Sequence, residues 1–180
     1  MKLDRPTIES ALAALSEKLR AEGVTGEMCI FGGAAMVLAF DAREATRDVD
    51  AVFRPADTVR RAAAIVAAEL SLPENWLNDG VKGYVSANQD YVDDRMPKDL
   101  PNLRVLRPSA EYLLAMKCMA ARVPGYDTGG DRADLEFLAR HLGLGSAEQV
   151  LDIVTRYYPI ERITAKTRFF VEEIIGGMQT

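Results

Sequence analysis

The sequence predicts an α/β (α+β) fold, with a small mixed sheet flanked by helices and followed by a C-terminal helical bundle. Three observations predict it. Residues 27–31 (Glu-Met-Cys-Ile-Phe) form a short apolar run that ends at Gly32-Gly33 and gives way to helical spacing, the pattern of a buried strand feeding a helix. Residues 48–53 (Asp-Val-Asp-Ala-Val-Phe) alternate polar and apolar, as a half-buried strand does. From Ser109 onward the pattern is helical, punctuated by glycine and proline. The expected division is 1–107 as the α/β core and 108–180 as the helical part.

The elements follow in order. Leu12, Leu15 and Leu19 recur at helical spacing and predict a helix over 7–22, stopped by Gly23. The strand at 27–31 comes next, and a helix from Ala34 to Phe40 opens at the glycines. After the strand at 48–53, Pro55 and Asp57 open a helix over 57–70, and Pro73 lies beyond its end. Residues 71–101 read as loops with short strands around Tyr84–Val85 and Tyr91–Val92. Residues 102–106 (Asn-Leu-Arg-Val-Leu) read as a strand. Ser109 then caps a helix through Arg122. Residues 124–130 form a turn-rich loop, and Asp131 caps a helix to His141 that Gly143 stops. Ser146 caps the next helix through Tyr157, and a last helix follows Pro159, from Glu161 to Ile175.

Composition narrows the function classes. The chain has 180 residues, 48% of them hydrophobic, enough for an ordinary core without a disulfide or metal staple. A net charge of −5 argues against a dedicated nucleic-acid coat protein, while leaving room for a local basic face. Cys29 and Cys118 lie in apolar runs and read as reduced, buried thiols. No Cys/His cluster has zinc spacing. The N-terminal residues lack a signal-peptide core, and no apolar run reaches the roughly 18 residues of a membrane span. The expectation is a soluble, cytoplasmic protein with no membrane partner.

The chemistry-bearing arrangement is the glycine pair at the mouth of a helix, followed by Asp48 and Asp50 on a strand. Glycines let a phosphate approach the backbone, and a helix N-terminus offers N–H donors to it. Residues i and i+2 of a strand share a face, so the two carboxylates project together while Val49, Ala51 and Phe53 face the core. Such a pair calls for a cation. Mg²⁺ held by carboxylates and substrate phosphates is the usual answer, with Mn²⁺ as the alternative ion. An Asp-x-Asp or a Gly-Gly taken singly is most often an ordinary turn or surface pair; the combination is what points to a nucleotide.

The segments Phe31-Gly-Gly-Ala-Ala-Met36 and Arg43-Glu-Ala-Thr46-Arg47-Asp48-Val49-Asp50 resemble the signature of the polymerase-β-like minimal nucleotidyltransferases. The closest resemblance is to the branch that contains the abortive-infection AbiEii toxins and related toxin–antitoxin nucleotidyltransferases. Leu113-Leu-Ala-Met-Lys117, Ala120-Ala-Arg122 and Asp131-Arg-Ala-Asp134-Leu135 resemble the helical half of the same proteins. Trp76-Leu-Asn-Asp79 resembles a segment of that family's uncharacterised members. The likeness covers roughly residues 27–142.

It implies that Gly32 and Gly33 cradle phosphates and that Asp48 and Asp50 hold the metal. Thr46 and Arg47 would stand beside the nucleotide. Lys117 would neutralise or position the triphosphate, Arg122 and Asp134 would help to bind it, and Asp131 would act in the transfer step. The implied substrate is a nucleoside triphosphate (NTP), and the implied acceptor a hydroxyl on RNA, a tRNA end among them, or on protein. An antitoxin protein is an implied partner. An inactive nucleotide-binding module of such a pair is the alternative. The chain departs from the family in one respect. Many of its enzymes carry a third carboxylate on the next sheet strand, and residues 102–106 hold none. Asp79, Asp93, Asp94 and Asp99 remain, and spacing does not choose among them.

Several of these residues have plainer explanations. Lys117 can be a snorkelling lysine at a helix edge, and Asp131 and Asp134 an N-cap and a surface pair with Arg132. Trp76 reads as packing beneath a loop, with stacking on a base as the functional alternative. Tyr157, Tyr158 and an apolar face of Phe169, Val171 and Ile174 read as core or partner contact.

Overall fold

The computed structural model describes residues 1–120 and 130–178. The chain divides into two compact units, Met1–Gly83 with Tyr91–Arg107, and Tyr84–Asp90 with the segment from Pro108 onward.

The first unit opens with a two-residue strand, β1 (Leu3–Asp4), and helix α1 (Arg5–Ala21). The helix starts two residues earlier than its apolar spacing suggests. Asp4 caps it, accepting from the Thr7 N–H at 3.0 Å, and a proline sits in its first turn. Ile8, Leu12, Leu15 and Leu19 fall on one face and are fully buried, each worth roughly 1.5–3 kcal/mol against exposure. Strand β2 (Gly26–Ile30), helix α2 (Gly32–Leu38), a second two-residue strand β3 (Ala45–Thr46), strand β4 (Val49–Arg54) and helix α3 (Ala56–Glu69) follow. Three further strands, β5 (Leu77–Asn78), β6 (Tyr91–Val92) and β7 (Leu103–Pro108), complete the unit.

Among the described residues the main sheet has five strands in the order β5-β4-β2-β7-β6. It is mixed. β2 runs antiparallel to β4 and parallel to β7, and β4 runs parallel to β5. β1 pairs antiparallel with β3 as a separate ribbon, with Leu3 opposite Thr46. On β4, Val49, Ala51 and Phe53 are buried and Asp50 and Val52 are half-buried, so the alternation sets the faces as expected.

Two readings of the irregular segment change. Tyr84 closes a 3₁₀ turn, Gly80–Tyr84, instead of joining a strand, and β5 lies where no strand was expected. Trp76 is fully buried and donates its indole N–H to the Ala63 carbonyl at 3.0 Å. It has no face to offer a base.

The second unit is built on helices α4 (Ala110–Ala120), α5 (Gly130–His141), α6 (Ala147–Tyr157) and α7 (Ala165–Met178). Ser109 Oγ accepts from the Tyr112 N–H, as an N-cap does. The expected continuation of that helix to Arg122, and the loop at 124–129, lie outside the described residues. Ser146 and Gln149 form a capping box at the start of α6. Tyr112 and Tyr157 stack at 4.8 Å between ring centroids. Residues 84–90 join this unit through the Ser86 N–H, which donates to the Tyr112 hydroxyl at 2.8 Å.

The last helix begins at Ala165, four residues later than expected, because residues 160–162 form a 3₁₀ turn and the Thr164 hydroxyl accepts from the Thr167 N–H. Its buried face is Thr167, Val171, Ile174 and Ile175. Phe169 is out of phase with it and 69% exposed, so it does not belong to the apolar face the sequence suggested.

No described helix is long and apolar enough to cross a membrane. Both cysteines are buried and free. Burial pushes the Cys118 thiol up to about 12 and raises Cys29 as well, so both stay protonated at neutral pH. Native protein at pH 8 is therefore expected to be inert to a thiol-reactive dye, while unfolded protein titrates two thiols per chain. Fast labelling of the native protein would contradict this burial.

Candidate functional site

The glycine pair sits where β2 hands over to α2, and the chain brings three side chains to it. The end of β2 is tied to β4 by the Phe31 N–H, which donates to the Asp50 carbonyl at 2.8 Å. Gly32 then adopts φ +57°, a left-handed conformation that costs other residues roughly 1–2 kcal/mol. A β-carbon placed on Gly32 would lie 3.1 Å from Asp50 Oδ2. One placed on Gly33 would lie 2.5 Å from Thr46 Oγ1 and 3.4 Å from Arg43 Nη1. The absence of β-carbons thus lets a carboxylate, a hydroxyl and a guanidinium approach the glycine backbone closely. Phe31, at the N-cap position, supplies no side-chain hydrogen bond to the first turn. Helix α2 has only seven residues, starting two residues before the expected Ala34, and its macrodipole is correspondingly small. The site rests on close backbone approach.

The segment carrying Arg43 and Thr46 is anchored at both ends. At its start, Arg5 donates to the Val37 carbonyl at 2.9 Å and pairs with Asp41 at 2.5 Å. At its end, β3 pairs with β1. Thr46 is buried, whereas Arg47 next to it is exposed.

Asp48 lies just before β4 and Asp50 within it, both half-buried. On the neighbouring strand Asn78 is in register with Asp50 and donates its side-chain amide to Asp48 Oδ2 at 3.2 Å. The Val49 N–H, between the two aspartates, donates to the Trp76 carbonyl at 2.6 Å, which locks this register.

Among the described residues no third carboxylate joins the pair. Asp79 is bound by Lys82 and by Arg60, and these two cations hold its carboxyl below the usual range. Asp94 pairs with Arg107 at 3.2 Å, and Asp93 lies 3.9 Å from Lys98. Among the described residues no group of three or more His, Cys, Asp and Glu is arranged to hold a metal ion. Two hard carboxylates beside the glycine turn are the donor type that would hold one Mg²⁺, which would supply positive charge for phosphate oxygens.

In the second unit Lys117, Asp131 and Asp134 come together. Lys117 Nζ lies 2.6 Å from Asp134 Oδ2 and 3.1 Å from Asp131 Oδ1. Lys117 is 9% exposed and Asp134 1%, so neither the snorkelling lysine nor the surface pair with Arg132 describes them. Asp131 lies in the first turn of α5, inside the helix, and is not its N-cap. Arg122 lies outside the described residues.

Sequence reasoning assigned no role to Arg43 or Asn78. Arg43 stood inside the quoted motif and could have been found there. Asn78 carries its own signal in Asn-Asp-Gly, an Asx-turn composition.

Alanine at Gly33 is expected to destabilise the first unit by about 1–3 kcal/mol, since its methyl group overlaps Thr46 beside a paired strand. Chemical denaturation would measure this, and an unchanged midpoint would contradict the close packing. Comparison of the chain with protein-family models, with characterised proteins and with solved structures finds no match.

Proposed function

We propose that the chain is a Mg²⁺-dependent nucleotidyltransferase that moves a nucleotide from an NTP to a hydroxyl of RNA, a tRNA end included, or of protein. The observation that carries this reading is the convergence of Asp50, Thr46 and Arg43 on the Gly32-Gly33 backbone. Backbone N–H groups of the glycine turn donate to phosphate oxygens. Thr46 Oγ1 and the Arg43 guanidinium add donors on the same side. Asp48 and Asp50 hold the cation. When bound, Mg²⁺ offsets phosphate charge and lowers the barrier to attack by the acceptor oxygen. A bond forms from that oxygen to the α-phosphorus, the bond to pyrophosphate breaks, and the hydroxyl proton leaves to solvent. The family resemblance of the same residues supplies the toxin-like role and the antitoxin partner.

A second reading has its own supporting observation. Asn78, not a carboxylate, stands opposite Asp50. This favours a nucleotide-binding module without transfer activity, acting as half of a toxin–antitoxin or regulatory pair.

The test is transfer of label from α-³²P NTPs, each supplied singly with Mg²⁺, to total RNA and to whole-cell protein. Label in one pool establishes transfer and names the acceptor class. No label, with Mg²⁺-dependent NTP binding intact, selects the binding module. Absence of both label and binding overturns the nucleotide site.

A further inference from the structure

The segment Trp76–Gly80 is built to present one side-chain amide to the aspartate pair. Trp76 is fully buried and tied to α3 by its indole N–H. Leu77 is buried opposite Val49. Asp79 is held from both sides by Arg60 and Lys82. Between these anchors, Asn78 Oδ1 accepts from the Gly80 N–H at 3.0 Å, closing an Asx turn. That bond fixes which end of the amide is oxygen, so the nitrogen is the end that faces Asp48 Oδ2 at 3.2 Å. Because Asn78 is in register with Asp50, all three side chains share one face of the sheet edge.

We propose that Asn78 is the positioning residue of the cation site, orienting Asp48 so that the Asp48–Asp50 pair holds one divalent cation and not two. The inference rests on the nucleotide-site reading above. Asn78 occupies one oxygen of Asp48 and turns the other toward the cation. As a neutral amide it adds no third anionic ligand. A second divalent ion would then face the same two carboxylates and the first ion's charge, with no further carboxylate among the described residues to offset the repulsion.

The test titrates the full chain with Mn²⁺, following free Mn²⁺ by electron paramagnetic resonance with ATP present and absent. The native protein binds one Mn²⁺ per chain. Asn78→Ser keeps an oxygen for the Gly80 N–H but removes the donor to Asp48. It is expected to weaken Mn²⁺ binding about 10–100-fold, the usual effect of losing an outer-shell partner. Asn78→Asp also keeps the turn acceptor and adds a carboxylate. It is expected to bind a second Mn²⁺ and to show a larger rise in thermal unfolding midpoint on adding Mn²⁺ than the native chain does. Circular dichroism of both variants confirms that each is folded. Two Mn²⁺ on the native protein, or unchanged affinity in a folded Asn78→Ser, overturns the inference and leaves the nucleotide-site reading standing. No Mn²⁺ on the native protein, with or without ATP, overturns both.

Discussion

Lys117→Met is expected to destabilise the protein by about 3–5 kcal/mol, a large share of the roughly 5–15 kcal/mol that holds an ordinary domain together. The cause is the burial of its partner. Asp134 is 1% exposed, and its Oδ2 lies 2.6 Å from the ammonium. Removing the ammonium leaves a carboxylate in a place where water cannot replace the lost interaction. Asp131, 3.1 Å away and about a third exposed, keeps access to solvent and contributes less. The double variant Lys117→Met/Asp134→Leu is expected to recover much of the loss, because a buried ion pair replaced by apolar groups is often neutral. Urea denaturation of the two single variants and the double variant measures the coupling. A Lys117→Met protein as stable as the native chain, but weakened in NTP binding, would instead show that the lysine is retained for the nucleotide.

The second large effect falls on the other unit. Asp50→Asn preserves size, and the bond that Asp50 accepts from Phe31 uses its carbonyl, so the link between β2 and β4 survives. What changes is the charge available to a cation. If Asp50 is a direct ligand, as proposed, its loss is expected to cost more than the roughly 10–100-fold typical of outer-shell partners. Mg²⁺-dependent NTP binding, followed by isothermal titration calorimetry, should therefore fall by more than about 100-fold while the circular dichroism spectrum is unchanged. Equal affinity in the native and variant proteins, or native binding indifferent to Mg²⁺, would remove the carboxylate pair from the site.

The parts that were legible in the sequence share a physical reason. β2 and β4 are long enough to show their burial pattern, and α1 has the turns needed to show a 3.6-residue stripe. Caps at Ser109 and Ser146 are local signals and were readable as such. The two-residue strands β1, β3 and β5 were not legible, since two residues carry no period and their existence depends on a distant partner. The same holds for side chains. That Asp48 and Asp50 share a face follows from strand geometry alone. That Thr46 lies against Gly33, or that Asn78 reaches Asp48 across 30 positions, depends on tertiary pairing. Asp134 misled for a related reason. A carboxylate close to Asp131 and Arg132 at the start of a helix reads as a surface charge, and only the packing of α5 shows it buried against Lys117. Phe169 erred in the other direction, an apolar residue two positions from both Thr167 and Val171 and so on the side of the helix opposite the buried face.

The most direct test of the account is where an NTP binds. Amide chemical shifts of ¹⁵N-labelled protein, recorded as Mg²⁺ and ATP are added together, locate the ligand without assuming activity. The largest shifts are expected at Gly32, Gly33, Ala34, Arg43 and Thr46, with Asp48, Asp50 and Asn78 responding to the metal, and all are expected to be lost in Asp50→Asn. Shifts confined to other parts of the chain, or none at millimolar ATP, would contradict it.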